Sequence, residues 1–241
     1  MILIGTAGWS IPRAEQDHFP GGGSHLERYA RRFAVAEINS SFHRSHRAAT
    51  WARWRESVSA TFRFSVKVPK AITHTAGLKD SSGRLASFIE EVSGLESRLG
   101  AFLVQLPPKL VFNSAVAEEF FGELRASTSL PIVCEPRHES WFGEPADRLL
   151  QSYEVARVAA DPARVASAGE PGGWRGMSYY RLHGSPKMYY SAYATDFIAA
   201  LAARVKEDAA NRRNVWVIFD NTTLGAATRN ALELAEELHV R

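Results

Sequence analysis

Apolar positions along this chain gather into eight short runs, and most of the runs close on a polar or charged residue. They cover residues 2–6, 35–39, 62–68, 101–106, 131–135, 155–161, 178–183 and 215–221. Most of the intervals carry apolar residues at helical spacing. Leu26, Tyr29, Ala30 and Phe33 form one such set, and Leu85, Phe88, Ile89, Val92 and Leu95 another. Short apolar strands alternating with helices predict an α/β fold with a parallel sheet. Eight of them predict a single TIM (β/α)8 barrel, whose chemistry lies at the carboxyl ends of the strands. The run ends are therefore site candidates: Glu37, Asn39, Lys67, Gln105, Glu135, Arg137, Asp161, Arg181, His183, Asp220 and Asn221.

Local signals fill in the intervals. Residues 7–23 predict a long loop. Ser24 with Glu27 predicts a capping box for the first helix. Gly100 predicts the end of the third, and Ser114 the start of the fourth. The fifth helix is short, around 145–152. The seventh spans 192–209, and the eighth starts at Thr222 or Thr223 and reaches about Leu238. The sixth interval is weak: 162–168 allow one or two turns, and 169–176 are glycine-rich.

Alternate residues of a strand face opposite ways. Val35, Glu37 and Asn39 share one face, as do Arg63, Ser65 and Lys67, Val133 and Glu135, and Tyr179, Arg181 and His183. The opposite faces are apolar and suit a helix layer, so the polar sets are predicted to meet in the lumen. Cys134 falls on the helix side. It is predicted to be an inert packing residue, because a reactive thiol needs exposure and a basic neighbour.

The totals narrow the class. The chain has 241 residues, close to the roughly 250 of a typical barrel, and no Pro/Gly/Ser-rich linker divides it. One domain over 1–241 is expected. A net charge of +3 permits an anionic partner without arguing strongly for one. One cysteine rules out an internal disulfide and a cysteine-based zinc site. No basic leader or long apolar segment precedes the first run, so a cytoplasmic protein without a membrane partner is expected. Gly5-Thr6-Ala7-Gly8 does not match the dinucleotide fingerprint, so no nucleotide cofactor motif is present.

The candidate chemistry follows from residue type. Glu37, Glu135 and His183 are candidate proton-transfer groups. Lys67, Arg137 and Arg181 are candidates to hold an anion. So is the helix start at Asn221, since barrels often bind phosphate after strands 7 and 8. Asn39, Gln105, His74, His138, Trp141 and Asp220 complete the candidate binding set. Against these stand ordinary roles: carboxylates pairing with cations, histidines bonded within loops, aromatics packing in loops. No His-Glu-x-x-His spacing occurs, and no residue is assigned to a metal.

Several stretches together resemble the domain-of-unknown-function 72, or YecE-like, family. They are Gly5-Thr6-Ala7-Gly8-Trp9-Ser10, Glu37-Ile38-Asn39-Ser40-Ser41-Phe42, Lys67-Val68-Pro69-Lys70 with Ile72-Thr73-His74, Gln105-Leu106-Pro107-Pro108, Glu135-Pro136-Arg137-His138 with Ser140-Trp141-Phe142, Arg181-Leu182-His183-Gly184, and Phe219-Asp220-Asn221-Thr222. The resemblance implies a TIM barrel and no established activity. Members usually carry Phe-Tyr-Arg where this chain has Phe42-His43-Arg44, and Asn-Asn where it has Asp220-Asn221.

Together these features predict an enzyme acting on a small phosphorylated or otherwise anionic, sugar- or nucleotide-like substrate by acid/base chemistry. A non-catalytic anion or nucleic-acid binder is one alternative. A divalent-metal hydrolase or isomerase is another. The sequence sets neither the oligomeric state nor a cofactor.

Overall fold

The computed structural model describes residues 1–211 and 214–240. The expected domain of 1–241 also takes in Arg212, Arg213 and Arg241, which lie outside the described residues. Strands β1 (Ile2–Ala7), β2 (Val35–Ile38), β3 (Arg63–Lys67), β4 (Leu99–Gln105) and β5 (Ile132–Glu135) follow the first five runs. β6 (Val155–Arg157), β7 (Ala159–Asp161), β8 (Gly172–Gly173), β9 (Met177–Leu182) and β10 (Asn214–Phe219) complete a ten-stranded sheet. Its order is β7-β9-β10-β1-β2-β3-β4-β5-β6-β8.

Eight parallel strands were expected, and the sheet differs in two ways. First, the run 155–161 divides at Val158, whose N–H donates to the Cys134 carbonyl at 2.8 Å. β6, before this residue, pairs with β5, and β7, after it, pairs with β9. One run thus serves both flanks of the sheet, which is nearly closed and barrel-like. Second, Gly172 and Gly173 return along β6 as the antiparallel strand β8, while the other pairings are parallel. The sixth interval holds only the 3₁₀ turn Ala166–Gly169 and this short strand.

The α-helices are α1 (His25–Ala30), α2 (Ala48–Glu56), α3 (Ser82–Val92), α4 (Ser114–Ser127), α5 (Glu144–Ser152), α6 (Thr195–Ala210) and α7 (Ala226–Leu238). Ser24 and Glu27 form the expected capping box. The fourth helix is capped by Asn113, one residue before the expected Ser114. Gly100 does not end the third helix; it lies inside β4. A Cβ there would sit 2.6 Å from the Trp216 ring, so glycine makes room for that indole. The long first loop contains the 3₁₀ helix Arg13–His18.

Two buried apolar clusters flank the sheet. One joins strands to helices and includes Ile38, Phe64, Val104, Cys134, Tyr180 and Leu182. The other gathers the opposite parity, with Val35, Leu103, Val133, Tyr179, Trp216 and Ile218. The predicted alternation holds, and Cys134 is fully buried on the helix side, its thiol pushed up by burial. Luminal apolar residues fill the amino-terminal part of the ring. The polar parity positions are left to its carboxyl end. Among the described residues, no helix is long and apolar enough to cross a membrane.

Candidate functional site

The sheet ladder runs slightly past the strand ends and fixes the residues there. Gly8 N–H donates to the Glu37 carbonyl at 2.8 Å, Leu106 N–H to that of Glu135 at 2.9 Å, and His183 N–H to that of Asp161 at 2.7 Å. Directly after His183 the chain turns away at Gly184, with φ of +92°. A Cβ at that residue would lie 2.7 Å from the Ser191 carbonyl oxygen, so the turn needs glycine on both counts.

Arg181 is the centre of the cluster and is 0% exposed. Its Nε and Nη2 donate to the two oxygens of Glu37, at 3.0 and 2.6 Å. Nη1 donates to Glu135 at 2.6 Å, and Nη2 also to Asp220 at 2.9 Å. The planar fork thus holds carboxylates from β2, from β5 and from just after β10 at once. Tyr179, two residues earlier on the same face, adds its hydroxyl to Glu37 at 2.8 Å.

His183 lies between two of these carboxylates. Nδ1 is 3.0 Å from Asp220 and Nε2 is 3.2 Å from Glu135. A neutral ring would point one lone pair at a carboxylate, so this setting favours the protonated ring. Burial lowers the His183 pKa, but Glu135 and Asp220 outweigh it, and the net shift is upward. Burial likewise works against the charge on Glu135, yet Arg181, His183 and Arg137 hold it well below the usual carboxylate range. Glu135 also accepts from Gln105 at 3.2 Å and from Arg137 Nε at 3.0 Å. Arg137 Nη2 reaches the Tyr189 hydroxyl at 3.4 Å.

Lys67 is treated differently. It is 8% exposed, and among the described residues no carboxylate lies within ion-pair distance of its ammonium. Nζ sits 4.2 Å from the centroid of the Phe42 ring. His74 meets the same ring edge-on at 4.9 Å. Burial and then Arg181 lower the Lys67 pKa to about 8, despite Glu37, Glu135 and Asp220. Burial, with Lys67, Arg137 and Lys70, lowers His74 to about 4, so that ring is neutral. Arg137 and Arg181 are paired with Glu37, Glu135 and Asp220, and Lys67 is left beside them without a carboxylate partner among the described residues.

The sequence candidates therefore sort unevenly. Glu37, Lys67, Gln105, Glu135, Arg137, Arg181, His183 and Asp220 converge, with His74 beside Lys67. Three candidates sit in settings that weigh against their expected roles. Arg181 was expected to hold an anion, but Glu37, Glu135 and Asp220 already take all but one of its N–H donors. Glu37 was expected to transfer protons, but it is 0% exposed and anchors Arg181 and Tyr179. His183 was expected to act as a base, but both of its nitrogens face carboxylates that raise its pKa.

Other candidates are engaged elsewhere. Asn221 donates to the Ser191 carbonyl and to Asn230. The helix after it begins only at Ala226, behind the cap Gly225, so the expected anion site at Asn221 has no helix start. His138 accepts from Ser140 N–H and caps a 3₁₀ turn. Trp141 is 1% exposed and donates to the Leu110 carbonyl. The Asp161 carboxylate takes the Tyr193 hydroxyl. Asn39 has a buried side-chain oxygen without a hydrogen-bond partner among the described residues. Tyr179 was not among the candidates, whereas Phe42 and Tyr189 belong to the loop aromatics expected near the mouth. Tyr179 carries a signal in the sequence, since it shares the Arg181 face. Among the described residues, no group of three or more His, Cys, Asp and Glu is arranged to hold a metal ion.

A family model described as "Protein of unknown function DUF72" matches residues 3–241. The chain is 35% identical over 174 residues to the UPF0759 protein YecE of Escherichia coli K12, a match covering 70% of this chain and 62% of that protein. It is 21% identical to the UPF0759 protein YunF of Bacillus subtilis 168, covering 100% of this chain and 95% of that one. In fold it is similar to a DUF72 family protein of Enterococcus faecalis V583, with TM-score 0.84, 24% identity and coverage of 100% and 96%. A DUF72 family protein of Thermotoga maritima MSB8 gives TM-score 0.81, 23% identity and coverage of 99% of each chain.

Proposed function

This chain belongs to the DUF72 family, and from its site we propose that it is an enzyme acting on a small anionic, sugar- or nucleotide-like substrate at the carboxyl-end mouth of the barrel. The proposal treats residues 1–241 as one (β/α)8 barrel whose sixth strand is interrupted at Val158. One observation carries it: Lys67 is a buried lysine with no carboxylate within ion-pair distance among the described residues, while the neighbouring Arg181 and Arg137 are paired. An unpaired buried charge is costly to keep. A charge kept at such a cost is explained by an anion that completes the pairing.

Arg137 supplies the second contact. Its side chain is 17% exposed, and only Nε is committed to a carboxylate. The remaining guanidinium edge suits a phosphate or carboxylate. Phe42 offers an apolar face beside them. With a pKa of about 8, Lys67 can give up its proton near neutral pH. Glu135, His183 and Gln105 position Arg137 and set the local field.

Thermal melts in sodium phosphate, against sodium chloride at equal ionic strength, test this. Phosphate should raise the melting temperature beyond chloride, and the excess should vanish in Arg137→Ala. No excess, or an excess unchanged in Arg137→Ala, would refute an anion site at this mouth.

A further inference from the structure

We propose that Lys67 is a nucleophile that forms an imine with the carbonyl group of the substrate, which makes the substrate an anionic aldehyde or ketone. This deepens the anionic-substrate reading above and rests on it. Lysines that do this chemistry need a free lone pair, a dry setting and no carboxylate locked onto the ammonium. Lys67 combines all three. It sits at the carboxyl end of β3, 8% exposed, with no ion pair among the described residues. The Phe42 ring lies 4.2 Å below Nζ and offers it no acceptor. Ser41 Oγ, which could otherwise compete for the ammonium, is turned to the Lys67 main-chain carbonyl at 2.7 Å.

Burial and Arg181 favour the neutral amine, and the carboxylates Glu37, Glu135 and Asp220 tolerate the charged product. Burial and the Arg181 charge bring the amine to about 8, so near neutral pH the unprotonated form is a minority, yet far more abundant than for an ordinary lysine. The Nζ lone pair attacks the carbonyl carbon, and the C–O π pair moves to oxygen. The proton lost from nitrogen balances the one gained by that oxygen, giving a carbinolamine. With one proton taken from solvent, the hydroxyl leaves as water and the nitrogen lone pair forms C=N⁺. The iminium carries the same single charge as the ammonium. The balance with Glu37, Glu135 and Asp220 is therefore unchanged. Arg137, bonded to Glu135 at 3.0 Å, can hold the anionic end of the substrate.

Reductive trapping tests the proposal. The protein is incubated with glyoxylate, or separately with glyceraldehyde 3-phosphate, and sodium cyanoborohydride at pH 7.5. Modified lysines are then located by peptide mass mapping. The chain offers Lys70, Lys79, Lys109, Lys187 and Lys206 as internal references. From the difference between about 8 and the ordinary 10.5, Lys67 should be labelled at least on the order of tenfold faster than these. Inorganic phosphate should slow that labelling. Lys67→Arg should lose the label at this position and keep the phosphate-dependent rise in melting temperature. Labelling of Lys67 no faster than the references would overturn the imine. If phosphate still stabilises through Arg137, only the imine falls. If the Arg137-dependent stabilisation is absent as well, the anion reading falls with it.

Discussion

Arg181 and Lys67 point into the same lumen from β9 and β3, both buried, both cationic, and the protein treats them in opposite ways. Arg181 donates to Glu37, Glu135 and Asp220. Lys67 rests on an aromatic ring with no carboxylate within ion-pair distance among the described residues. Their pKa shifts follow. Burial opposes the charge in both cases. Around Arg181 the carboxylates win and hold it well above its ordinary value, while around Lys67 burial wins. One cation ties three strands together, and the other is kept at a cost to the fold. A side chain that lowers stability where an apolar one would fit is the signature of a functional group.

The largest expected effect comes from breaking the satisfied side. Arg181→Met leaves Glu37, Glu135 and Asp220 crowded and without their common partner. Removing one member of a buried ion pair costs roughly 3–5 kcal/mol, and here one residue serves three. We expect a loss of at least this size in the urea unfolding free energy, or failure to fold. Arg181→Lys should recover little, because an ammonium cannot fork. A loss below about 1 kcal/mol for Arg181→Met would contradict the anchoring role.

The unsatisfied side should respond with the opposite sign. The Lys67 pKa near 8 lies below the ordinary 10.5, so the folded state resists its charge. The penalty is full below pH 8 and fades as pH rises toward 10.5. Lys67→Met removes it. The unfolding free energy at pH 7 should rise by about 1–3 kcal/mol, and the parent's own stability should climb between pH 8 and 10.5 while the variant's does not. A destabilised Lys67→Met would show that the lysine serves packing.

How much of this contrast the sequence showed depends on what each part needed. Strand parity placed Glu37, Lys67, Glu135, Arg181 and His183 on the luminal face, because alternation is local and the helix layer demands one apolar side. It could not say which charges meet, since pairing across the ring depends on strand order and tilt. Arg181 was thus expected to hold a ligand. Trp141 and His138 looked like site residues because their partners, the Leu110 carbonyl and Ser140 N–H, are settled by loop conformation. The split at Val158 and the return strand Gly172–Gly173 left no periodic trace, because three residues are too few to show one and glycines show none.

Asp220 offers the mildest way to sharpen the comparison, and it lies where the resemblance leads to asparagine. Its carboxylate accepts from Arg181 at 2.9 Å and faces His183 Nδ1 at 3.0 Å. Asp220→Asn keeps the shape and removes one charge. Arg181 retains Glu37 and Glu135, so the fold should survive with a loss of about 1–2 kcal/mol. His183 loses one of the two carboxylates that raise its pKa. Its pKa, raised above 6.5 in the parent, should fall in the variant. A raised histidine contributes stability that is fully present below pH 6.5 and is lost as pH climbs through the folded-state value. Asp220→Asn should therefore shrink the stability lost over that window, whose slope cannot exceed about 1.4 kcal/mol per pH unit for one proton. Histidine ring NMR titration of both proteins measures the two values directly. An unchanged His183 value would mean that Glu135 alone holds the proton, and that Asp220 belongs to the Arg181 anchor and not to the histidine.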